Sequence, residues 1–463
     1  MNTLKTTLIF TLCTFQVLFS ACSDDDDPLT PFSVNFSSAE VGISSDSPEA
    51  QLTVSFSRPS TMDGTIKLRL NSGDLVYGES EDFYASVAPQ DDVISLAFKS
   101  GDQNVNFTVN NGSAANRTAD ATLVISIEND PDNLFIPGTT NQVSITFAEN
   151  FISPGASLEM SAGDENFTQR AYVDLSKATS TSVPVDNFDL GFQTGSGFYV
   201  TLNSSANLMA RPLDKNDLND VSAADTAGFA AVMTIPPPNF DASIGSVAWV
   251  DTPDGDLSTT AFGEISATDT DNKVFIVKRN KGNWKKVRVL RNGEGYTLQH
   301  ADIAATSFET LDITKDQTFE AVTVDLDQGI VEAEPENDKW DFRYGTYTEV
   351  LPLGPGASIP YGFKDLITIN RSDVSIAMIM IADTPFESFS AADVAGLTFE
   401  TAVNAIGNTW RMGGGPSSPP ALHTDRYYII KDGEENIYKL QFTRMYSLSD
   451  QRGEGAFKYE LLN

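Results

Sequence analysis

Short runs of alternating apolar and polar residues fill the first third of the chain: Ser33-Val34-Asn35-Phe36, Gln51-Leu52-Thr53-Val54-Ser55-Phe56, Thr65-Ile66-Lys67-Leu68-Arg69-Leu70, Asn104-Val105-Asn106-Phe107-Thr108-Val109, Thr122-Leu123-Val124-Ile125-Ser126-Ile127 and Val143-Ser144-Ile145-Thr146-Phe147. Successive side chains of a strand point to opposite faces, so a period of two reads as strands with one face buried. The Gly, Pro, Asn and Asp between the runs read as turns. Residues 31–150 are therefore predicted to form an antiparallel β-sandwich of about seven strands.

Beyond residue 150 the pattern repeats. Val274-Phe275-Ile276-Val277-Lys278 and Tyr427-Tyr428-Ile429-Ile430-Lys431 each lead through a polar turn, with Gly282 or Gly433, to a return strand, and the two hairpins stand 153 residues apart. Val173-Asp174-Leu175 recurs as Val324-Asp325-Leu326 at an offset of 151, and Phe188-Asp189-Leu190 as Trp340-Asp341-Phe342 at an offset of 152. Three landmarks in one order point to duplication. Ser153-Pro154-Gly155 offers the break before the first copy. Short helices are predicted at 214–223 and 390–403, the latter with Ser390 and Asp393 at capping-box spacing. The middles of the copies diverge, one carrying Pro236-Pro237-Pro238 and the other Gly413-Gly414-Gly415-Pro416-Ser417-Ser418-Pro419-Pro420. A varied loop on a kept scaffold is where function is sought.

These patterns predict a mostly β chain: an N-terminal antiparallel β-sandwich at 31–150 followed by two tandem, mainly antiparallel β domains at 151–315 and 316–463. Length agrees, because 463 residues at about 150 per domain suggest three domains. A formal net charge of −34 would repel phosphates over most of the surface, which argues against nucleic-acid binding.

Residues 1–21 read as a secretory signal. Lys5 precedes an apolar run over 8–19, too short to span a membrane as a stable helix, and Ser20-Ala21 supply small residues before Cys22. The stretch Phe19-Ser20-Ala21-Cys22 resembles a bacterial lipobox, with Phe19 where Leu is usual. That resemblance implies lipidation at Cys22, removal of Cys13 and no disulfide in the mature chain. Residues 22–30 form an acidic tether, and Ser23-Asp24-Asp25-Asp26-Asp27 looks like the signal that sends lipoproteins to the outer face of the outer membrane.

Within 31–150, Gly78-Glu79-Ser80-Glu81-Asp82-Phe83 ahead of Leu96-Ala97-Phe98-Lys99-Ser100-Gly101-Asp102 resembles a Calx-beta module. Such modules often hold Ca²⁺ through loop carboxylates, which are hard oxygen donors. Glu79, Glu81 and Asp82, or Glu128, Asp130 and Asp132, are the candidates here. The alternative is a spacer with solvated acidic loops.

The C-terminal landmarks resemble the HmuY family of haem-binding surface lipoproteins. The matching pieces are Tyr172-Val173-Asp174-Leu175 or Val324-Asp325-Leu326, Phe188-Asp189 or Trp340-Asp341-Phe342, the Trp410 loop, the Tyr427-Tyr428-Ile429-Ile430-Lys431-Asp432-Gly433 hairpin with its return strand Tyr438-Lys439-Leu440-Gln441-Phe442, and the terminal Phe457-Lys458-Tyr459-Glu460. The second copy fits along most of its length and the first at its ends. The resemblance implies an all-β fold that grips haem through His or Met, scavenges iron and hands it to a TonB-dependent outer-membrane transporter.

Haem iron takes axial nitrogen or sulfur donors. Met412 and His423 flank the Gly-Pro loop, and Met378 and Met380 lie upstream, so these four are the ligand candidates, with Trp410 and Tyr427 as pocket aromatics. Met380 also reads as core filler, and His300, at a strand end, as a surface or linker residue. The first copy has no Met or His between Pro236 and Asn272, so the second is the better candidate. No phosphate loop, nucleophile elbow or metalloprotease helix is present, and two His with one mature Cys leave little for acid–base or nucleophilic chemistry. The chain is therefore read as a binding protein. The alternative is an adhesion or glycan-binding lipoprotein that meets sugars through Trp410 and Tyr427, and a third reading is a structural partner of a transporter.

Overall fold

The computed structural model describes residues 31–44, 47–112, 121–131, 133–148, 151–414 and 419–462. Ten strands make the N-terminal domain: β1 (Phe32–Phe36), β2 (Glu40–Ile43), β3 (Glu49–Phe56), β4 (Gly64–Asn71), β5 (Phe83–Ala85), β6 (Val93–Phe98), β7 (Asn104–Asn111), β8 (Ala121–Ile127), β9 (Phe135–Pro137) and β10 (Gln142–Phe147). They form two five-stranded sheets, ordered β5-β7-β3-β1-β9 and β2-β10-β8-β4-β6. The apolar phase of each alternating run points between them, where Val34, Val54, Ile66, Leu68, Val109, Ile125 and Ile145 are fully buried. The sequence pattern predicts about seven strands. The additional β2, β5 and β9 are three or four residues long, too short to show an alternation.

Twenty strands follow: β11 (Gly155–Ser161), β12 (Gln169–Asp174), β13 (Thr179–Pro184), β14 (Leu190–Gln193), β15 (Val200–Leu202), β16 (Met209–Pro212), β17 (Phe275–Lys278), β18 (Lys285–Asn292), β19 (Gly295–Asp302), β20 (Glu309–Ile313), β21 (Ala321–Asp325), β22 (Gly329–Val331), β23 (Phe342–Gly354), β24 (Ala357–Ile369), β25 (Ser375–Met380), β26 (Arg411–Met412), β27 (Ala421–Leu422), β28 (Arg426–Lys431), β29 (Ile437–Arg444) and β30 (Glu454–Leu461). One body joins the sheets β16-β17-β18-β19-β20 and β15-β14-β21-β22 around Phe192, Val277, Tyr296, Leu298 and Val324. A second joins β25-β28-β29-β30-β11 and β24-β23-β12-β13 around Val173, Phe342, Trp410, Leu440 and Phe457. Read in these orders, the two bodies follow one plan strand for strand.

The first body is the unbroken run β14–β22, set into the second, which takes β11–β13 from before it in the chain and β23–β25 with β28–β30 from after it. Leu158, Met160, Phe167, Val173 and Leu175 consequently lie in one core with residues after 341. A cut at 315/316, the boundary expected from the repeat, falls between β20, which pairs with β19 of its own copy, and β21, which pairs with β14 of the other.

The repeated landmarks are the joints of this arrangement. Asp189 donates its N–H to the Val324 carbonyl at 2.8 Å and its Oδ2 accepts from the Leu326 N–H at 2.8 Å. In the other body Asp341 donates to the Val173 carbonyl at 2.7 Å and its Oδ2 accepts from the Leu175 N–H at 2.7 Å. Each aromatic-Asp landmark thus ties itself to the Val-Asp-Leu landmark of the other copy. A buried carboxylate that accepts a backbone N–H and sits against a cation meets part of its desolvation cost. In the first body that cation is Arg279, whose fully buried guanidinium reaches Asp189 at 2.9 Å, Asp325 at 3.5 Å and Asp327 at 2.6 Å.

Between β16 and β17 the chain runs through one-turn helices with a small core of their own around Leu218, Phe229, Met233 and Val250. The helix predicted at 214–223 is two such turns, Leu218–Asp220 and Ala223–Thr226. The one predicted at 390–403 is the short Ala391–Gly396, opened by the expected capping box of Ser390 and Asp393. Among the described residues no helix is long and apolar enough to cross a membrane.

Candidate functional site

The end of the second body where β25 and β28 pair carries four of the six candidate residues and places a fifth, Trp410, beneath them. Strand alternation sends Ile376 into the body's core and Ala377 to the opposite face, against Tyr427 and Ile429. Met378 and Met380 continue the row of Ile376 past the edge of that core. Met378 is 45% exposed and stands opposite Tyr428, while Met380 is half-buried opposite Arg426. The Tyr428 hydroxyl lies 2.9 Å from Thr409 Oγ1, and Arg426 Nη1 reaches the Thr409 carbonyl at 3.1 Å and Met378 Sδ at 3.9 Å. These contacts tie β25 to the segment that leads into β26.

Strands β26 and β27 form a small ribbon in which Met412 faces Ala421, and the His423 N–H extends it by donating to the Trp410 carbonyl at 2.9 Å. Arg411 turns inward and donates to the Lys364 carbonyl at 2.6 Å, which leaves Met412 outward and 48% exposed. His423 is partly exposed, its Nδ1 3.5 Å from Asp425 Oδ1. Two open thioethers and an imidazole are soft and intermediate donors of the kind that bind haem iron. The Arg426 guanidinium beside Met378 already holds a carboxylate, Asp425, through Nε at 2.8 Å and Nη2 at 3.2 Å, the pairing its fork suits. Sequence reasoning missed Arg426 and Tyr428, though Tyr428 stands in the hairpin motif it singled out and Arg426 directly before it; nothing in their spacing announces the link to Thr409.

Two predicted pocket aromatics are core residues instead. Trp410 is 0% exposed, donates Nε1–H to the Asp365 carbonyl at 2.9 Å and packs 4.8 Å from the Phe442 ring. Tyr427 is equally buried, with Phe386 and Phe389 at 5.4 and 5.9 Å and its hydroxyl on the Thr384 carbonyl. An amphipathic ring whose polar atom finds a partner inside packs inside. Neither ring is open to a sugar or a porphyrin. Trp410→Ala is expected to cost about 3–5 kcal/mol of stability by urea unfolding, an effect on the fold that precedes any on a ligand.

His300, expected at the surface, is buried on β19 opposite Val287 and Glu309, and burial lowers its pKa. The calcium candidates do not converge. Asp82 Oδ2 accepts the Val76 N–H at 2.9 Å while Glu79 and Glu81 are exposed, Glu128 pairs with Arg69 at 2.6 Å, and Asp130 accepts the Leu134 N–H at 2.6 Å. Among the described residues no three His, Cys, Asp or Glu side chains gather closely enough for a metal ion. Asp132 and Cys22 lie outside the described residues.

Comparison with known proteins identifies part of this region. Residues 293–459 match the model of the HmuY protein family. The match takes in β19–β30 and with them the exposed methionines, the ribbon and the hairpin. Solved structures similar to the chain include the apo form of the Calx CBD1 domain, 13% identical over 25% of this chain and 95% of that one, with a TM-score of 0.21. The calcium-binding domain CBD12 of a Calx protein is 10% identical over 32% and 68%, with a TM-score of 0.21. A two-domain protein from Bacteroides fragilis is 13% identical over 38% and 66%, with a TM-score of 0.19. No curated protein matches the chain.

Proposed function

We propose that the second body binds haem on the face formed by Met378, Met412 and Arg426, and that the chain serves haem capture at a cell surface. The observation that supports this most is the placement of two outward thioethers, one on β25 and one on β26, within the HmuY-matching segment and joined through Arg426 and Thr409. When bound, haem supplies an iron whose axial positions accept sulfur or nitrogen. Met378 and Met412 offer that sulfur without a proton to lose, so capture by them is insensitive to pH near neutrality. Met380 and His423 stand next to them as further donors. Arg426, paired with Asp425, would orient the ligand by taking a propionate in that carboxylate's place. Binding in this form needs no catalytic group.

In the first body the corresponding segment is the run of one-turn helices between β16 and β17, whose one methionine, Met233, is fully buried. In our reading both bodies descend from one HmuY-like unit, and the first has kept the frame without the donors. Lipidation at Cys22 and the acidic tether place the protein on the outer membrane, with the sandwich as a spacer and a TonB-dependent transporter as recipient of the haem.

Mixed with haemin, the full chain is expected to give a sharpened, shifted Soret band. Met378→Ala and Met412→Ala should each weaken binding by about tenfold or more, a loss of about 1.4 kcal/mol or more. An unchanged spectrum would remove the proposal.

A further inference from the structure

The joint that Arg279 closes in the first body is open in the second. Asp432 stands where Arg279 does, 153 residues later, directly after the matching Lys431 and Lys278. Asp341 corresponds to Asp189 and Asp174 to Asp325, by the same hydrogen bonds to the opposite landmark. The position filled by a guanidinium in one body therefore holds a further carboxylate in the other. What remains is a cleft of about 180 Å³ lined by Asp174, Asp341, Asp432, Glu434, Asn337 and Trp340, among others.

The cleft is short of positive charge and of hydrogen-bond donors. Asp341 is 7% exposed, and its Oδ2 accepts the Leu175 N–H while, among the described residues, no hydrogen bond reaches its Oδ1. Asn337 Oδ1, on the same wall, is buried and also without a donor. Asp174 uses Oδ1 on Ser176 and the Lys177 N–H, and the Lys177 ammonium acts on it through space while donating to the Phe151 carbonyl at 3.0 Å. Asp432 is held by Asn436 and the Glu434 N–H. Burial, then the nearby charges of Asp174, Asp432 and Glu434, push the Asp341 carboxyl well above its ordinary range. Its counterpart Asp189 in the first body is raised by burial too, but there the hydrogen bond from Arg279 acts against the rise.

We infer that this cleft is a docking site for an arginine side chain of a partner protein, received as the first body receives its own Arg279. A planar guanidinium carries donors on several sides and can meet Asp341 Oδ1, Asp174 and Asn337 Oδ1 together, which a spherical ammonium does less well. The spacing of the carboxylates agrees with that choice. They stand as a frame around a side chain rather than as a cage for a bare ion, and no three acids among the described residues converge on one point. The volume suits it as well, since liquid water occupies about 30 Å³ per molecule and the cleft holds several times that. This inference is independent of haem, because the cleft is built on β12, β23 and the β28–β29 turn and includes none of the methionines.

The test is a titration of the full chain with acetyl-Gly-Arg-Gly-amide at about 150 mM salt, where exposed charges are screened beyond about 8 Å. It is followed by tryptophan fluorescence, with Trp340→Phe identifying the signal from the cleft wall. A saturable change is expected. Asp341→Asn should weaken binding at least about tenfold, and Glu434→Gln, a substitution at an exposed position, should weaken it with the fold intact. The lysine peptide should bind less tightly, and Met412→Ala should leave binding unchanged. No saturable change, or equal binding by the wild type, Asp341→Asn and Glu434→Gln, would overturn the inference.

Discussion

Expressed alone, residues 151–315 are expected to remain unfolded, and residues 316–463 likewise, whereas 151–463 should fold. Each fragment would carry strands whose partners are in the other. The first would expose Leu158, Met160, Phe167, Val173 and Leu175, all of which pack in the second body's core. Burying a side chain of this size contributes about 1.5–3 kcal/mol, so the loss of five approaches or exceeds the about 5–15 kcal/mol by which a domain is usually stable. The second fragment would lose β11 and β12 from its sheets and would expose Val324 and Leu326. Circular dichroism and urea unfolding of the three polypeptides decide the matter. A cooperative transition in either short fragment would show that strand pairing across the copies is dispensable, and mixing the fragments should restore a transition that neither has alone.

The second large effect is expected at Arg279. Arg279→Ala leaves Asp189 and Asp325, both nearly inaccessible, facing a space that held a guanidinium. Removing one partner of a buried pair typically costs about 3–5 kcal/mol, because the remaining charge stays desolvated. Lys281 still reaches Asp325 at 2.7 Å and moderates that part, so Asp189 bears most of the loss. The effect has a defined pH dependence. Asp327 is depressed to about 2 by Lys285 and Arg279, so its contribution is present above the ordinary carboxylate range and disappears as the pH falls through about 2. In the variant the orphaned carboxylates are relieved by taking up protons, so the gap to wild type should be widest near pH 7 and narrow toward pH 3. Guanidinium-free urea unfolding at both pH values measures it. An equal gap at both would mean that packing, not charge, is what Arg279 supplies.

Much of this architecture is legible in the chain because β alternation reports burial locally. The runs around Val54, Leu68 and Ile125 give the sandwich, and the 153-residue spacing of Lys278 and Lys431 gives two hairpins that prove to be corresponding strand pairs, β17–β18 and β28–β29. Alternation names a face and not a partner, however. Nothing in Arg170 to Leu175 says that its neighbour is Phe342 and not a strand of the following body; that depends on a pairing some 170 residues away in sequence. The Asp landmarks are visible as a repeat, but their meaning as a crosswise joint appears only when Asp341 is found on the Leu175 N–H.

The placement of the candidate residues was legible in part for related reasons. Met378 and Met412 were marked by chemistry, and their openness follows from strand phase at a sheet edge. Trp410 was misjudged because an aromatic beside a Gly-Pro run reads as exposed, while its Nε1–H is satisfied by the Asp365 carbonyl, a backbone group that carries no sequence signal. The acidic cleft escaped notice because 64 acids make any three unremarkable, and only the comparison of Asp432 with Arg279 sets it apart.

The proposal rests on two bodies of one plan, of which, among the described residues, only the second holds exposed methionines. The measurement that tests this most directly is the stoichiometry of haemin binding to the full chain, read as the equivalence point of a Soret titration on wild type and on the Met378→Ala, Met412→Ala double variant. The account predicts one haem per chain and no specific band in the double variant. Two haems per chain, or one that survives the loss of both methionines, would contradict it.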